Sequence, residues 1–431
     1  MEKNRNNVQS STNDRINPSI KKQKTRKVTA LTSLKATLEI DEEDYKNLQE
    51  ILRFKISDDT SIEDAVCHVA TIDPYSGQYR VSELSLRDES AAGRCWYGLP
   101  HLPFSLCTMD ALEKIEIMGT QIETLFSEDD DADFPKVIPN LCILQLTWMP
   151  RLQGLPSNLG SFTKLQKLQL FKLPINALPD SLSLLGGSLK AVVIRDCANL
   201  THLPDGFGQL HSLQYLETYR TPIQRLPDNF GNLTNLEELE MEFHHLTQLP
   251  TGFTNFAILH TLDTGTVIFN FPVPHLPNLY YLTTSVYNIH QFSQTQTVRE
   301  LKLYCHCDNV TQAPAIDIEF YYLSTWRNLE RLNVTLTGHP FEYTLPKGSF
   351  TTFTKLKFLI LYCTERQALG VYIDELPCLL QLNKMQLFGC MLKSTKPLAH
   401  PVTLPNLTSI SLHDVKGCLQ LLSSIRAPCL T

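Results

Sequence analysis

Two short segments of the sequence carry side chains that can bind a metal ion. Cys305-His306-Cys307 offers the thiolate and imidazole ligands that Zn²⁺ prefers, but no second Cys or His pair follows at zinc-finger spacing. Residues 127–133 contain five carboxylates within six residues, yet lack the Gly and the terminal Glu of an EF-hand calcium loop. We therefore expect no metal ion at either segment.

Side chains able to act as nucleophiles or bases are also present. Cys67-His68 and His244-His245 have that chemistry, but adjacency in sequence is not the geometry of a catalytic triad. The phosphate loop, the Gly-x-Ser-x-Gly elbow and the His-Glu-x-x-His helix are absent from the sequence. We expect no catalytic residues, no cofactor and no enzymatic activity; an enzyme built from the repeats and using Cys or His has no supporting motif.

The elements that position these residues repeat along the chain. The dipeptide Leu-Pro begins at Leu155, Leu178, Leu203, Leu226 and Leu249, in steps of 23, 25, 23 and 23 residues. Between these dipeptides runs a second phrase, apolar-x-x-apolar-x-apolar. One such coil cannot bury its own leucines, so neighbouring coils must stack and share a continuous core.

Each copy of the second phrase predicts one short parallel strand. Fourteen copies are present, beginning at Val81, Leu112, Leu141, Leu165, Leu189, Leu213, Leu236, Leu259, Leu279, Val298, Leu329, Leu356, Leu382 and Leu407. The steps vary from 19 to 31 residues outside the middle of the chain, so irregular loops are expected in the last third. On the opposite side of the coils, Phe207, Phe230 and Phe253 recur every 23 residues and predict a stacked aromatic spine.

Residues 188–204, SLKAVVIRDCANLTHLP, resemble the coils of plant disease-resistance receptors and related intracellular leucine-rich-repeat proteins. The resemblance covers about residues 81–412, and no nucleotide-binding domain precedes the repeats. It implies an α/β fold, a leucine-rich-repeat solenoid curved into a horseshoe with a parallel β-sheet on its concave face, and protein binding without catalysis. The family places Asn two residues after each strand; this chain has the accepted substitutes Thr120, Cys197, Thr221, Thr364 and Cys390, for which a structural role is implied.

The sequence predicts three regions. Residues 1–28 are polar and basic and are predicted to be a disordered tail. Residues 29–105 are predicted to form a small helical N-terminal cap with the first strand, including an amphipathic helix near 41–54 and a turn between strands near 71–81. Residues 106–431 are predicted to form the solenoid, closed by a short C-terminal cap with an apolar helix at 418–426.

Charge is distributed unevenly between tail and body. The tail carries eight Lys or Arg against two acidic residues, whereas the remaining residues hold 30 basic and 43 acidic side chains, a net charge of −13. This body disfavours nucleic acid and favours a protein partner with a basic surface or segment. The sequence has no apolar run of 18 residues and no signal segment, so we expect no membrane span and a location in the cytoplasm. The basic run 21–27 would allow a location in the nucleus instead. We expect the protein to be a monomer.

Alternation along the strands selects the candidate binding residues. In the strand after Leu213, Leu216 and Thr218 are predicted to face the core, and their neighbours the opposite face. The acidic and aromatic residues at such outward positions form an acidic, tyrosine-ringed patch and a more apolar strip farther along the chain. The candidate protein-binding residues are Tyr215, Glu217, Tyr219, Glu238, Glu240, Glu242, Asp263, Tyr281, Tyr304, Phe358, Tyr362 and Phe388.

Two classes of function fit these features. The first is a non-catalytic recognition scaffold that binds a protein on its concave face in signalling or defence, with a regulatory subunit of an enzyme as a close variant. The second is the substrate-recognition part of a delivered effector or ligase-type system, which would need a catalytic domain beside the repeats. The acidic patch itself is either a contact site or an ordinary solvated face.

Overall fold

The computed structural model describes residues 42–52, 70–75, 78–87, 101–102, 109–126, 138–307, 321–338, 342–364, 368–394, 402–417 and 425–430. The chain divides into two compact units, Met1–Pro156 and Ser157–Thr431. The basic tail, Cys67-His68 and the acidic segment 127–133 lie outside the described residues. No helix in the described ranges is long and apolar enough to cross a membrane.

The first unit begins with helix α1 (Glu42–Leu52) and a four-stranded sheet. Its strands are β1 (Ala70–Tyr75), β2 (Gln78–Arg87), β3 (Lys114–Met118) and β4 (Ile143–Thr147). Strands β1 and β2 form an antiparallel hairpin, and β3 and β4 continue from β2 in parallel. Asp44 of α1 is buried and accepts a 2.8 Å hydrogen bond from the Val81 N–H, so the helix is joined to β2. The predicted helix and hairpin are confirmed.

The second unit is dominated by a parallel sheet of eleven strands, in the order β5 to β12, β14, β16 and β19. The strands of this unit are β5 (Lys167–Phe171), β6 (Ala191–Arg195), β7 (Tyr215–Tyr219), β8 (Glu238–Met241), β9 (Thr261–Asp263), β10 (Tyr281–Ser285), β11 (Glu300–Cys307), β12 (Arg331–Gly338), β13 (Glu342–Thr344), β14 (Phe358–Cys363), β15 (Ala368–Tyr372), β16 (Lys384–Phe388), β17 (Cys390–Lys393), β18 (Val402–Thr403), β19 (Ser409–His413) and β20 (Ile425–Arg426). All fourteen predicted strands are present, because β2, β3 and β4 complete the set.

Short 3₁₀ helices return the chain from one coil to the next. They span Leu159–Ser161, Asp180–Leu185, Asp205–Gln209, Asp228–Asn232, Phe243–His245, Thr251–Asn255, Val286–Phe292 and Ile373–Cys378. Neighbouring 3₁₀ helices approach backbone to backbone at their glycines. A Cβ atom on Gly208 would lie 2.0 Å from the carbonyl oxygen of Asn229, and one on Gly231 would lie 2.1 Å from that of Gly252. Only glycine allows this spacing of the coils.

The core lies between the sheet and these 3₁₀ helices. Leu216 and Thr218 are fully buried, as the alternation predicts. The rings of Phe207 and Phe230 stack with centroids 6.4 Å apart. Phe256, which the 23-residue spacing did not single out, contacts Phe230 edge-on at 5.8 Å and Phe253 at 4.9 Å. The aromatic spine is therefore buried, with Phe256 as an additional member.

Three of the side chains at the family's Asn position, those of Cys197, Thr221 and Cys390, bond the backbone. The Cys197 thiol donates to the carbonyl oxygens of Leu170 and Arg195 at 3.8 and 3.6 Å. In the next coil, the Thr221 hydroxyl makes the equivalent bonds to Ile194 and Tyr219 at 3.4 and 3.3 Å. Cys390 repeats the pattern farther along. These three side chains satisfy strand-end carbonyl groups, and the structural role predicted for Cys197 and Cys390 is confirmed.

The last third contains strands that the repeat phrase did not predict. There β13, β15 and β17 form a separate three-stranded parallel sheet, and β18 pairs with β20. Residues 418–424 of the predicted C-terminal helix lie outside the described residues, and Ile425–Arg426 is a strand rather than helix. That part of the prediction is wrong, because backbone pairing with Val402–Thr403 satisfies these residues instead.

Candidate functional site

An acidic row crosses three neighbouring strands on the face of the sheet opposite the core. Glu217 of β7 pairs with Glu240 of β8, and Glu240 pairs with Asp263 of β9, each in direct register. Adjacent strands lie about 4.8 Å apart, so the three carboxylates are neighbours. Like charges in such positions repel each other and destabilise the sheet unless a cation compensates them.

Arg195 compensates the first member of the acidic row. Its guanidinium binds both carboxylate oxygens of Glu217 through Nε and Nη2, with a distance of 2.7 Å from Nη2 to Oε2. The Tyr215 hydroxyl donates to the same Oε2 atom at 2.8 Å. Glu217 therefore lies on the predicted face, but it is only 2% exposed and already has its cation.

Glu240 and Asp263, the other two members of the acidic row, have less of their negative charge compensated than Glu217. Partial burial, followed by repulsion from Glu217 and Asp263, raises the pKa of Glu240 above its usual value. Burial also raises the pKa of Asp263, against the opposing effects of a 2.8 Å hydrogen bond from the Gly265 N–H and of Lys302. Both shifts show that the row holds its negative charge at a cost, which an added cation would reduce.

The remaining acidic candidates flank the row. Glu238 occupies the same strand position as Tyr215, and Tyr219 is 46% exposed with the Arg220 guanidinium 5.2 Å from its ring centroid. Glu242 follows the end of β8, immediately before the 3₁₀ helix Phe243–His245. The structure thus places Glu217, Glu238, Glu240 and Asp263 on three adjacent strands, with Glu242 directly after the second of them.

The aromatic candidates farther along do not form an uninterrupted apolar strip. The Lys302 ammonium lies 4.9 Å from the ring centroid of Tyr304, and the Arg331 guanidinium lies 4.3 Å from that of Phe358. Tyr281 is half-buried at the same strand position as Arg331. This part of the face combines rings with positive charge.

Tyr362 and Phe388 belong to a stack at the far end of the sheet. Their ring centroids are 5.6 Å apart, and Phe388 stacks on the imidazole of His413 at 4.7 Å. The predicted site contains only acidic and aromatic residues, so it lacks His413 and the cations Arg195, Lys302 and Arg331. Their outward positions in the repeat phrase are the signal that would have found them.

Cys305 and His306 do not converge on a metal site. Cys305 is buried, and its thiol lies 3.6 Å from the Tyr287 hydroxyl. His306 faces solvent and lies 3.0 Å from the Thr337 hydroxyl. Strand alternation separates the two side chains onto opposite faces, so they cannot share one cation.

The fold class of the chain follows from the geometry of its repeats. Thirteen strands begin two residues after the first apolar residue of the phrase, and a Cys or Thr bonds the backbone after several of them. Parallel pairing in register then joins each coil to the next. The chain has the leucine-rich-repeat fold. Its fold is the α/β solenoid that the sequence predicts.

The chain is similar to several solved structures at low sequence identity. An internalin (inlF) of Listeria monocytogenes matches with 16% identity and a TM-score of 0.43, over 80% of this chain and 86% of the internalin. The PEPR1–AtPEP1 structure matches with 16% identity and a TM-score of 0.49, over 87% of this chain and 52% of the other. The leucine-rich-repeat domain of the type III effector XopL matches with 17% identity and a TM-score of 0.30, over 91% and 94%. No protein-family model and no curated protein matches the chain.

Proposed function

We propose that this protein is a non-catalytic recognition scaffold that binds a partner protein through the outward face of its sheet, with the acidic row receiving a basic side chain of the partner. The observation that carries this proposal is the direct pairing of Glu217, Glu240 and Asp263 on adjacent strands. Such a row is costly for a sheet, and a bound cation offsets that cost.

The contact between Arg195 and Glu217 indicates which cation the row accepts. It is a two-bond guanidinium–carboxylate pair, supported by the Tyr215 hydroxyl, which donates to the same Oε2 atom as Nη2 of Arg195. Glu240 and Asp263 are partly buried and continue the same row. An arginine side chain of the partner, placed over Glu240, would repeat within the complex the contact that Arg195 makes within the chain.

The flanking aromatic groups fit the same partner. Tyr219 is exposed beside the acidic row, and Tyr362 is 42% exposed at the far end of the sheet. Tyrosine rings next to charged pockets are typical anchors of protein interfaces and contact arginine through cation–π interactions. The partner proposed here is a protein with a basic segment, bound by a monomeric scaffold that acts in signalling or defence in the cytoplasm or nucleus.

The experiment compares two variants that lose the same charge. Glu240→Gln/Asp263→Asn neutralises the acidic row. Asp180→Asn/Asp228→Asn neutralises two exposed carboxylates that each begin a 3₁₀ helix on the other side of the coils. Binding of a fluorescent hexa-arginine peptide is followed by anisotropy in 50 mM salt, after circular dichroism has shown that all chains fold alike.

We expect the row variant to bind the peptide at least about tenfold more weakly than the wild type, because each charge-assisted contact contributes on the order of 1.5–3 kcal/mol. The control variant should bind within about twofold of the wild type, since its carboxylates are distant from the row and screened by salt. Equal binding by the row variant and the wild type would remove the acidic row as the recognition site.

A further inference from the structure

A second group of ligating side chains lies just beyond the end of β8. In the part of the chain that the structure describes, Glu242, His244 and His245 bring one donor atom each to within 4.8 Å of one another. The two imidazole rings have centroids 3.8 Å apart and are tilted by 41°. Two nitrogen donors and one carboxylate are the donor set of many open zinc sites.

The local fold holds the two histidines on one side of a short turn. Phe243 begins the 3₁₀ helix Phe243–His245 and is fully buried, with its ring 5.4 Å from that of Phe269 and 6.1 Å from that of Phe253. The Phe243 N–H donates to the Thr264 carbonyl at 3.1 Å, and Leu246 closes the turn onto Phe243 at 2.9 Å. The anchored Phe243 directs the next two side chains away from the core, beside Glu242.

The chemical state of the cluster suits a cation. His244 Nδ1 is shielded from solvent and has no hydrogen-bond partner among the described residues. A neutral imidazole keeps one free lone pair, which can bind a metal ion. Glu242 remains partly exposed and supplies the negative charge. An unsatisfied buried nitrogen costs free energy, and coordination of a cation satisfies an imidazole.

We propose that Glu242, His244 and His245 form a binding site for a divalent transition-metal ion, with Zn²⁺ as the reference ligand. A tetrahedral Zn²⁺ ion with bonds of about 2.1 Å holds its donors about 3.4 Å apart, so donor atoms within 4.8 Å of one another have to approach by up to about 1.4 Å on binding. Three protein ligands leave a coordination position open for water. Mg²⁺ and Ca²⁺ prefer oxygen ligands and should not compete.

The site is tested by isothermal titration calorimetry of the full chain with ZnCl₂. The site variant is His244→Ala/His245→Ala. The control variant is His202→Ala/His211→Ala, which removes two exposed histidines from other coils. Glu242→Gln is a third chain, since it keeps the size of the side chain and the fold of the turn.

We expect the wild type and the control to bind one more equivalent of Zn²⁺ than the site variant. Glu242→Gln should bind this equivalent at least about tenfold more weakly, since the ligand charge is lost. Millimolar Mg²⁺ should leave the titration unchanged. Identical Zn²⁺ stoichiometry and affinity in the wild type, the site variant and Glu242→Gln would overturn the proposal. These results are independent of the peptide-binding measurement, because no arginine peptide is present.

Discussion

Removing the guanidinium of Arg195 is the sharpest test of how the acidic row is stabilised. Arg195→Met keeps a long apolar stem but leaves Glu217, which is 2% exposed, with the Tyr215 hydroxyl and without its cation. Loss of one partner from a fully buried ion pair costs about 3–5 kcal/mol. Because the Arg195 side chain is 47% exposed, water enters the vacated space, and we expect a loss of about 2 kcal/mol in the free energy of unfolding.

A double-mutant cycle separates this effect from lost packing. The residue in register with Glu217 on β6 is Val193, which is 4% exposed, so a valine fits this strand position. Glu217→Val also ends the repulsion between Glu217 and Glu240, and it should change the free energy of unfolding by no more than about 1 kcal/mol. In this background, Arg195→Met removes no buried partner and should cost less than about 0.5 kcal/mol.

The cycle is measured by urea unfolding of the four chains, followed by circular dichroism at pH 7. The reasoning predicts a coupling of about 2 kcal/mol between Arg195 and Glu217. If Arg195→Met costs as much in the Glu217→Val background as in the wild type, the bidentate pair does not stabilise the sheet, and the account of the acidic row fails.

Three further predictions concern the core, the titration of the row and the spacing of the coils. Phe230→Ala removes a fully buried ring and should lower the free energy of unfolding in urea by about 3–5 kcal/mol, whereas Leu184→Ala, at a residue 73% exposed, should change it by less than about 0.5 kcal/mol. The pKa of Glu240 in the folded state lies above its reference value of 4.5. Between these two pH values the folded state therefore binds more protons than the unfolded state, and ionisation of Glu240 at higher pH destabilises the folded state. The free energy of unfolding should therefore rise as the pH falls through this window. Urea unfolding from pH 7 to 4.5 should show a smaller rise for Glu240→Gln than for the wild type. An equal rise in both chains would contradict the raised pKa of Glu240. Gly231→Ala should lower the thermal midpoint because its Cβ meets backbone, with a cost of about 1–3 kcal/mol, while Gly187→Ala, which has open space, should leave the midpoint unchanged.

The repeat phrase was sufficient to predict the strands and the phase of the core. The burial of leucine is a local requirement, since each coil shares its core only with its neighbours. Once Leu213 and Leu216 are assigned inward, strand alternation fixes which of the following side chains point away from the core. The same reasoning explains why Cys197 and Thr221 could be assigned a structural role from their position after the strand.

The side-chain contacts between coils could not be obtained in this way. Glu217, Glu240 and Asp263 each lie four residues after the first apolar residue of their phrase, so the repeat indicates their register but not which cation reaches them. In the sequence, Glu217 is one of several outward acidic residues, whereas in the structure Arg195 from the preceding strand covers it. Burial and charge compensation at such a position depend on residues that are 22 apart in sequence and adjacent in space.

The sequence by itself therefore determined the repeat, the strand positions and the inward or outward direction of each side chain, because these depend on the short-range alternation of apolar residues. Only the tertiary structure decided which outward residues meet. It covered Glu217 with Arg195 and brought His244 and His245 close to Glu242. The physical reason is that electrostatic and ligand interactions act across coils, through distances that register and turn geometry set.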